Sequence, residues 1–333
     1  MIAAARRRAP RTAGFSLLEM VVTLAVTGGF LVMITGLLER SLSFAAEHQA
    51  RTGLRANARF SLDFLATELA MAGGRIPASA AYYAADTIND VDDADVADLG
   101  TDTLAVMRSR GGLATQMLAG AGAAGAGTLR VAFHTTDQAG PNAICPTVAA
   151  CAAAFESEHG GQGDMLLVSA ALSYWVLRMT AAPTAELGAG GGIDIVYTGV
   201  FDNTGGANFP ISSPVTGIEA LSFRVMNETL EMKEGFFASP GDFTVMAEGV
   251  EDLQVAFVLN DGTYKNDGLP ALVEQVRATA ITLVGVLPAD RTLGGAGTFV
   301  RPEIEDHEAG TVGDRRRRVV MRELTWGRNL AGL

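Results

Sequence analysis

Ala13-Gly14-Phe15-Ser16-Leu17-Leu18-Glu19-Met20 opens an apolar run that continues to Leu38. Four arginines, Arg6, Arg7, Arg8 and Arg11, precede it, and across the 24 residues from Phe15 to Leu38 the one formal charge is Glu19. At about 1.5 Å per residue such a run makes a helix about 36 Å long, enough to cross a hydrocarbon core of about 30 Å. The spacing therefore predicts a transmembrane helix. Arginines before it stay cytoplasmic by the positive-inside rule, which sends everything after Leu38 to the far side of the inner membrane. A cleaved secretory signal fits less well, because Gly36-Leu37-Leu38-Glu39-Arg40 leads into more helix-like sequence instead of a small-residue cleavage site. A carboxylate within an apolar run is costly and implies a function and a partner.

Beyond Leu38 the chain turns polar but keeps helical spacing as far as Gly73-Gly74. Glu47 and Arg51, and Arg59 and Asp63, stand four apart and can pair along one face. Leu54, Ala58, Leu62, Leu65 and Leu69 form an apolar stripe suited to packing on a sheet. Phe60, Phe64 and Met71 fall on another side, either facing neighbouring helices or buried within the subunit. Gly28-Gly29 and Gly36 are helix weak points, each costing about 1 kcal/mol relative to Ala, and permit either local loosening or close helix contact. The expected element is one helix from Phe15 to Ala72.

From Thr103 onward short strands alternate with Gly-rich turns. Strands are expected near Thr103–Arg108, Thr128–His134, Asp164–Ser169, Ser173–Thr180, Ile193–Thr198, Gly217–Met226, Thr229–Lys233, Val250–Leu259, Val276–Leu287 and Arg317–Trp326. Gly111–Gly127 and Glu186–Gly192 read as low-complexity surface loops. The fold class is α+β: a long N-terminal helix, half transmembrane and half amphipathic, packed on an antiparallel β-sheet head.

The string Gly14-Phe15-Ser16-Leu17-Leu18-Glu19 resembles the class III signal of type IV pilins and of type II secretion pseudopilins. The resemblance implies cleavage by a membrane prepilin peptidase between Gly14 and Phe15, N-methylation of Phe15, and a pairing of Glu19 with the terminal ammonium of a neighbouring subunit's Phe15. A buried pair of this kind gives register more dependably than net stability. The stretch from Asn57 to Gly73, with Arg59-Phe60-Ser61-Leu62, Leu65 and Leu69 running into Met71-Ala72-Gly73, resembles the helix end of PilW-type minor pilins. Gly249–Phe257 and Arg315–Leu330 resemble two of their strands. The implied organisation is a leader (1–14), a transmembrane or filament-core helix (15–38), an amphipathic helix (39–72) and an extracytoplasmic β-rich head (73–333). The implied role is a minor pilin that primes, assembles or caps a type IV pilus. Its partners would be other major and minor pilins, the peptidase and an inner-membrane assembly platform. It would sit first in the inner membrane with its head in the periplasm, then in the fibre at the cell surface. A J-type pseudopilin and a tip adhesin whose head binds a surface ligand remain as alternatives, and the stretch from Gly73 to about Pro214 matches neither strand nor helix of the resemblance.

Composition narrows the other classes. The net charge is −12, and losing the four leader arginines would make it −16, so a nucleic-acid partner is not expected. The basic run Arg315 to Arg318 reads as part of an amphipathic strand, its arginines meeting carboxylates of neighbouring subunits. Cys145 and Cys151 are the two cysteines of the chain, and outside the cytoplasm a close even pair reads as a disulfide stapling a loop. Asp86, Asp90, Asp92, Asp93, Asp95 and Asp98 crowd one loop, and Asn260–Gly268 another. Neither follows the order of an EF-hand, so solvated acidic loops are expected, with Ca²⁺ the one ion the composition leaves open and no cofactor otherwise. His48, His134, His159 and His307 occur without a nucleophile elbow, a zinc-protease helix or a phosphate loop, and no enzyme is expected.

Overall fold

The computed structural model describes residues 16–82, 87, 101–111, 114–119, 125–132, 147–170, 173–186, 192–202, 208–237, 239, 241–265, 270, 273–287, 299–301, 310–312, 316 and 318–326. Helix α1 runs from Leu17 to Met71, 55 residues without interruption at Gly28-Gly29, Gly36 or Gly53. Its end is set by Gly73, whose positive φ of 72° reverses the chain and whose N–H donates to the Met107 carbonyl at 2.8 Å. The chain divides into two compact units, Met1–Gly53 and Leu54–Leu333.

The second unit holds the remainder of α1, two large antiparallel sheets and a two-stranded one. The larger sheet contains β1 (Leu104–Ser109), β2 (Thr115–Ala119), β3 (Ala126–Val131), β4 (Met165–Ala170), β5 (Ser173–Met179), β6 (Thr184–Glu186), β7 (Gly192–Asp202), β8 (Pro214–Met226), β9 (Thr229–Glu234) and β10 (Thr244–Glu248). The pairings β8–β2–β3–β7–β5–β4 return to β8, so six of these strands close into an antiparallel barrel. Strand β8 does two jobs. Its first residues lie between β2 and β4, with Val168 opposite Val215; at Ile218 it still pairs with Met165 of β4 while β1 joins its other edge, and from Leu221 to Phe223 it lies between β1 and β9.

Alternation along the strands fixes what each face buries. Leu166 and Val168, Trp175 and Leu177, and Ile193 and Ile195 fill one cluster. Met165 and Leu167, Tyr174 and Val176, and Ile218 and Ala220 fill another on the opposite face. Helix α2 (Val148–His159), capped by Thr147 whose side chain accepts from the Ala150 N–H, adds Cys151 and Phe155 to the first cluster. Its end meets β8 at Gly217, where a Cβ would lie 2.4 Å from the His159 carbonyl oxygen, so only glycine admits that approach.

The smaller sheet orders β12 (Tyr264–Lys265), β11 (Val250–Leu259), β13 (Val276–Val286) and β16 (Arg318–Trp326). Against it lies the α1 stripe, since Leu62, Leu65 and Leu69 share a core with Leu253, Val255, Ile281 and Leu283. Strands β14 (Phe299–Arg301) and β15 (Gly310–Val312) pair with each other.

The α+β class expected from the sequence is what the structure has, with the described helix and ten expected strands in place. One expectation changes and one open alternative is decided. Gly111–Gly127 is not all loop, because β2 lies inside it and completes the barrel between β3 and β8. The second aromatic side of α1 is mostly internal: Phe64 packs edge-on against Phe223 at 6.2 Å and Met71 is half-buried beside Arg108, leaving Phe60 exposed.

Candidate functional site

The first unit exposes what a soluble helix would hide. Leu17 is 82% exposed, Val32 73% and Leu37 66%, and no part of the most apolar window is buried within the chain. With a mean hydropathy of 2.2 in that window, α1 is long and apolar enough to cross a membrane. Its hydroxyls suit an apolar surrounding. Thr23, Thr27 and Thr35 each donate to the carbonyl four residues back, Glu19, Thr23 and Leu31 respectively, so none needs water. A Cβ at Gly28, Gly29 or Gly36 would meet nothing within 4 Å, so no contact among the described residues requires these glycines.

Glu19 is engaged at the helix start. Ser16 is the N-cap, its carbonyl accepting the first helical bond from the Met20 N–H at 3.1 Å. Its hydroxyl accepts from the Glu19 N–H at 3.2 Å, and the Glu19 carboxylate accepts from the Ser16 N–H at 3.0 Å. This is a capping box, which satisfies two backbone donors that a helix otherwise leaves bare. The carboxylate also faces the positive end of the helix dipole. The Ser-x-x-Glu spacing was available in Ser16-Leu17-Leu18-Glu19, and the sequence reading attended to the charge alone.

Other expected site residues fall unevenly. Gly14 and Phe15, the cleavage and methylation positions, lie outside the described residues, as does Cys145. Cys151 is buried on the first turn of α2. Asp86, Asp90, Asp92, Asp93, Asp95, Asp98, Asn266, Asp267, Gly268, His134 and His307 also lie outside. In the part of the Asn260 turn that is described, Asp261 accepts from the Thr263 N–H at 2.8 Å, and this bond, with the Thr263 hydroxyl, holds its carboxyl below the usual range. Among the described residues no group of three or more His, Cys, Asp or Glu side chains converges as a metal site would.

The basic run finds partners inside its own chain, contrary to the expectation of carboxylates on neighbouring subunits. Arg318 makes a two-pronged pair with Glu251 at 2.5 and 2.6 Å, its side chain 1% exposed. Arg316 does the same with Glu228, at the turn between β8 and β9. Arg315 and Arg317 lie outside the described residues.

Neither the protein-family models nor the curated proteins contain a match to this chain. Among solved structures, a type IV-like pilin from Thermus thermophilus aligns with 51% of this chain and 86% of its own at 20% identity, with a TM-score of 0.26. At that score the likeness carries no argument, and the function rests on the helix and its sequence.

Proposed function

We propose that the chain is a type IV pilin-like subunit, held in the inner membrane by the first half of α1 and transferred into a fibre by side-to-side packing of that same helix. One observation carries the reading: an apolar helix surface, exposed all round within the chain, begins at a capped turn bearing its lone carboxylate. An exposed apolar surface of this size must be covered by lipid or by other helices. A transmembrane anchor would use the first cover, and a filament core the second. In this reading prepilin peptidase cuts between Gly14 and Phe15, the new terminus is N-methylated, and Glu19 then contributes to docking on partner pilins. The head folds in the periplasm, with Cys151 joined to Cys145. The role is a minor pilin of the PilW type that primes or caps the fibre, and it is structural rather than enzymatic.

The test is mass spectrometry of the protein recovered from membranes. The expected N-terminus is N-methylated Phe15, and replacing Gly14 with a bulkier residue should leave an uncut precursor. An N-terminus beyond Leu38 would overturn the reading in favour of ordinary secretion. Co-isolation with pilins rather than with secretion components separates the pilus from the pseudopilus.

A further inference from the structure

A cavity of about 460 Å³ opens where β5, β4, β8 and the end of β9 come together, of a size that suits a small ligand. Three guanidinium groups line it, and their partners differ. Arg108 is neutralised by Glu68 at 2.7 Å and Glu219 at 3.1 Å, and Arg110 by Asp164 at 2.7 Å. Arg178, half-buried on β5, makes one side-chain hydrogen bond, to the neutral Ser239 hydroxyl, and no carboxylate among the described residues reaches it. A guanidinium carries five N–H donors in a flat fork, and the Ser239 hydroxyl occupies one of them. The loop that presents Ser239 is tied down. The buried Lys233 ammonium donates to the carbonyls of Phe237 at 3.0 Å and Ser239 at 2.7 Å, and the Phe236 N–H donates to Ser239 Oγ at 3.1 Å. The receiving geometry is therefore built before any ligand arrives.

We infer that this cavity binds a small monocarboxylate that also carries hydrogen-bond donors, with Arg178 taking the carboxylate in a two-pronged contact. The fork of Arg178 selects a planar anion. The same walls carry Glu234, which makes no ion pair among the described residues, beside Glu219 and Asp164. The Glu234 carboxylate repels a polyanion and accepts from hydroxyl or ammonium groups. Uronic acids and α-amino acids share this chemistry. The inference goes beyond the filament reading and does not depend on it.

Full-length protein in detergent micelles, titrated by calorimetry, tests it with three probes. Glucuronate and alanine represent the two sources, and glucose is the uncharged control. Saturable binding of glucuronate or of alanine at millimolar concentration or below, with none for glucose, is expected, and the probe that binds identifies the source. Arg178→Met should weaken that binding about tenfold or more. Arg178→Lys keeps the charge but not the fork and should also weaken it, which guards against a folding failure in the first variant. Glu234→Gln should weaken alanine more than glucuronate if alanine is the ligand. No binding of either acid overturns the inference, and so does binding that both Arg178 variants leave unchanged.

Discussion

Tyr82 shows how one residue ties the chain after α1 to both sheets. It makes an isolated bridge with Val106, packs edge-on against Phe257 at 5.3 Å and shares a 2.6 Å hydrogen bond with the Thr279 hydroxyl. Burial raises its phenol to about 12, against a smaller lowering by the Thr279 bond. Because the folded value lies above the unfolded 10, stability is fully present below pH 10 and is lost as pH rises towards 12. Two units correspond to about 3 kcal/mol. Tyr82→Phe should lower stability near neutral pH by about 1 kcal/mol through the lost hydrogen bond, and should flatten the loss between pH 10 and 12. Urea unfolding midpoints at pH 7, 9 and 11 would show it, and an alkaline slope identical to wild type would refute it. Ser16 is the residue-scale lesson in legibility. Its spacing to Glu19 is a helix-start signature readable from the sequence, but a reading centred on the unusual charge passed over the ordinary backbone bond that charge makes.

Elements were legible in proportion to their length and periodicity. Helix α1 spans many turns with a clear stripe, β11 is long and mostly apolar, and β13 is long and rich in β-branched residues, so all three declare themselves locally. Strand β2, five residues among glycines and alanines, has too few side chains to show alternation, and its place is set by Val215 and Val131 across the barrel. Barrel closure through Val168 and Val215 joins positions that no local pattern connects. Helix α2 carried a usable signal in Thr147 before an alanine-rich stretch, obscured by attention to the cysteines. The closing strand β16 illustrates the converse, a pattern seen but given the wrong partner. A run of arginines in an acidic protein suggests contacts with other subunits, yet Arg318 is held by Glu251 of β11 and is nearly inaccessible. Removing one partner of a buried pair leaves a charge without compensation, which costs about 3 to 5 kcal/mol, whereas replacing both by apolar groups is often close to neutral. Glu251→Ala should therefore lower the unfolding free energy, read from urea titration, by an amount in that range, and Glu251→Met with Arg318→Met should recover most of it. A single variant within about 0.5 kcal/mol of wild type, as for an ordinary surface change, would show that the pair does not hold β16.

At the scale of the whole molecule, the two units make different demands on their surroundings. The described residues of the second unit bury their apolar stripes within it, while the helix of the first presents leucine, valine and methionine on every side. In the filament reading assembly is decided where Glu19 sits, and Glu19 has two separable capacities. Its carboxylate can cap the helix through the Ser16 N–H, or it can meet a cation on another molecule. Glutamine serves a capping box as glutamate does but has no charge. Glu19→Gln therefore keeps the helix start and removes the ion pair, whereas Glu19→Ala removes both. If the charge directs assembly, Glu19→Gln inserts into the membrane, is cut at the same position as wild type and yet fails to crosslink to or co-purify with partner pilins, behaving as Glu19→Ala does. If the cap is what matters, Glu19→Gln assembles as wild type does and only Glu19→Ala fails. The filament reading expects the first outcome, because the capping box leaves the carboxylate charged at the edge of an apolar run where charge is costly, and a partner's cation would offset that cost further. Normal co-purification of the glutamine variant would transfer the role of Glu19 from the fibre to the first turn of its own helix.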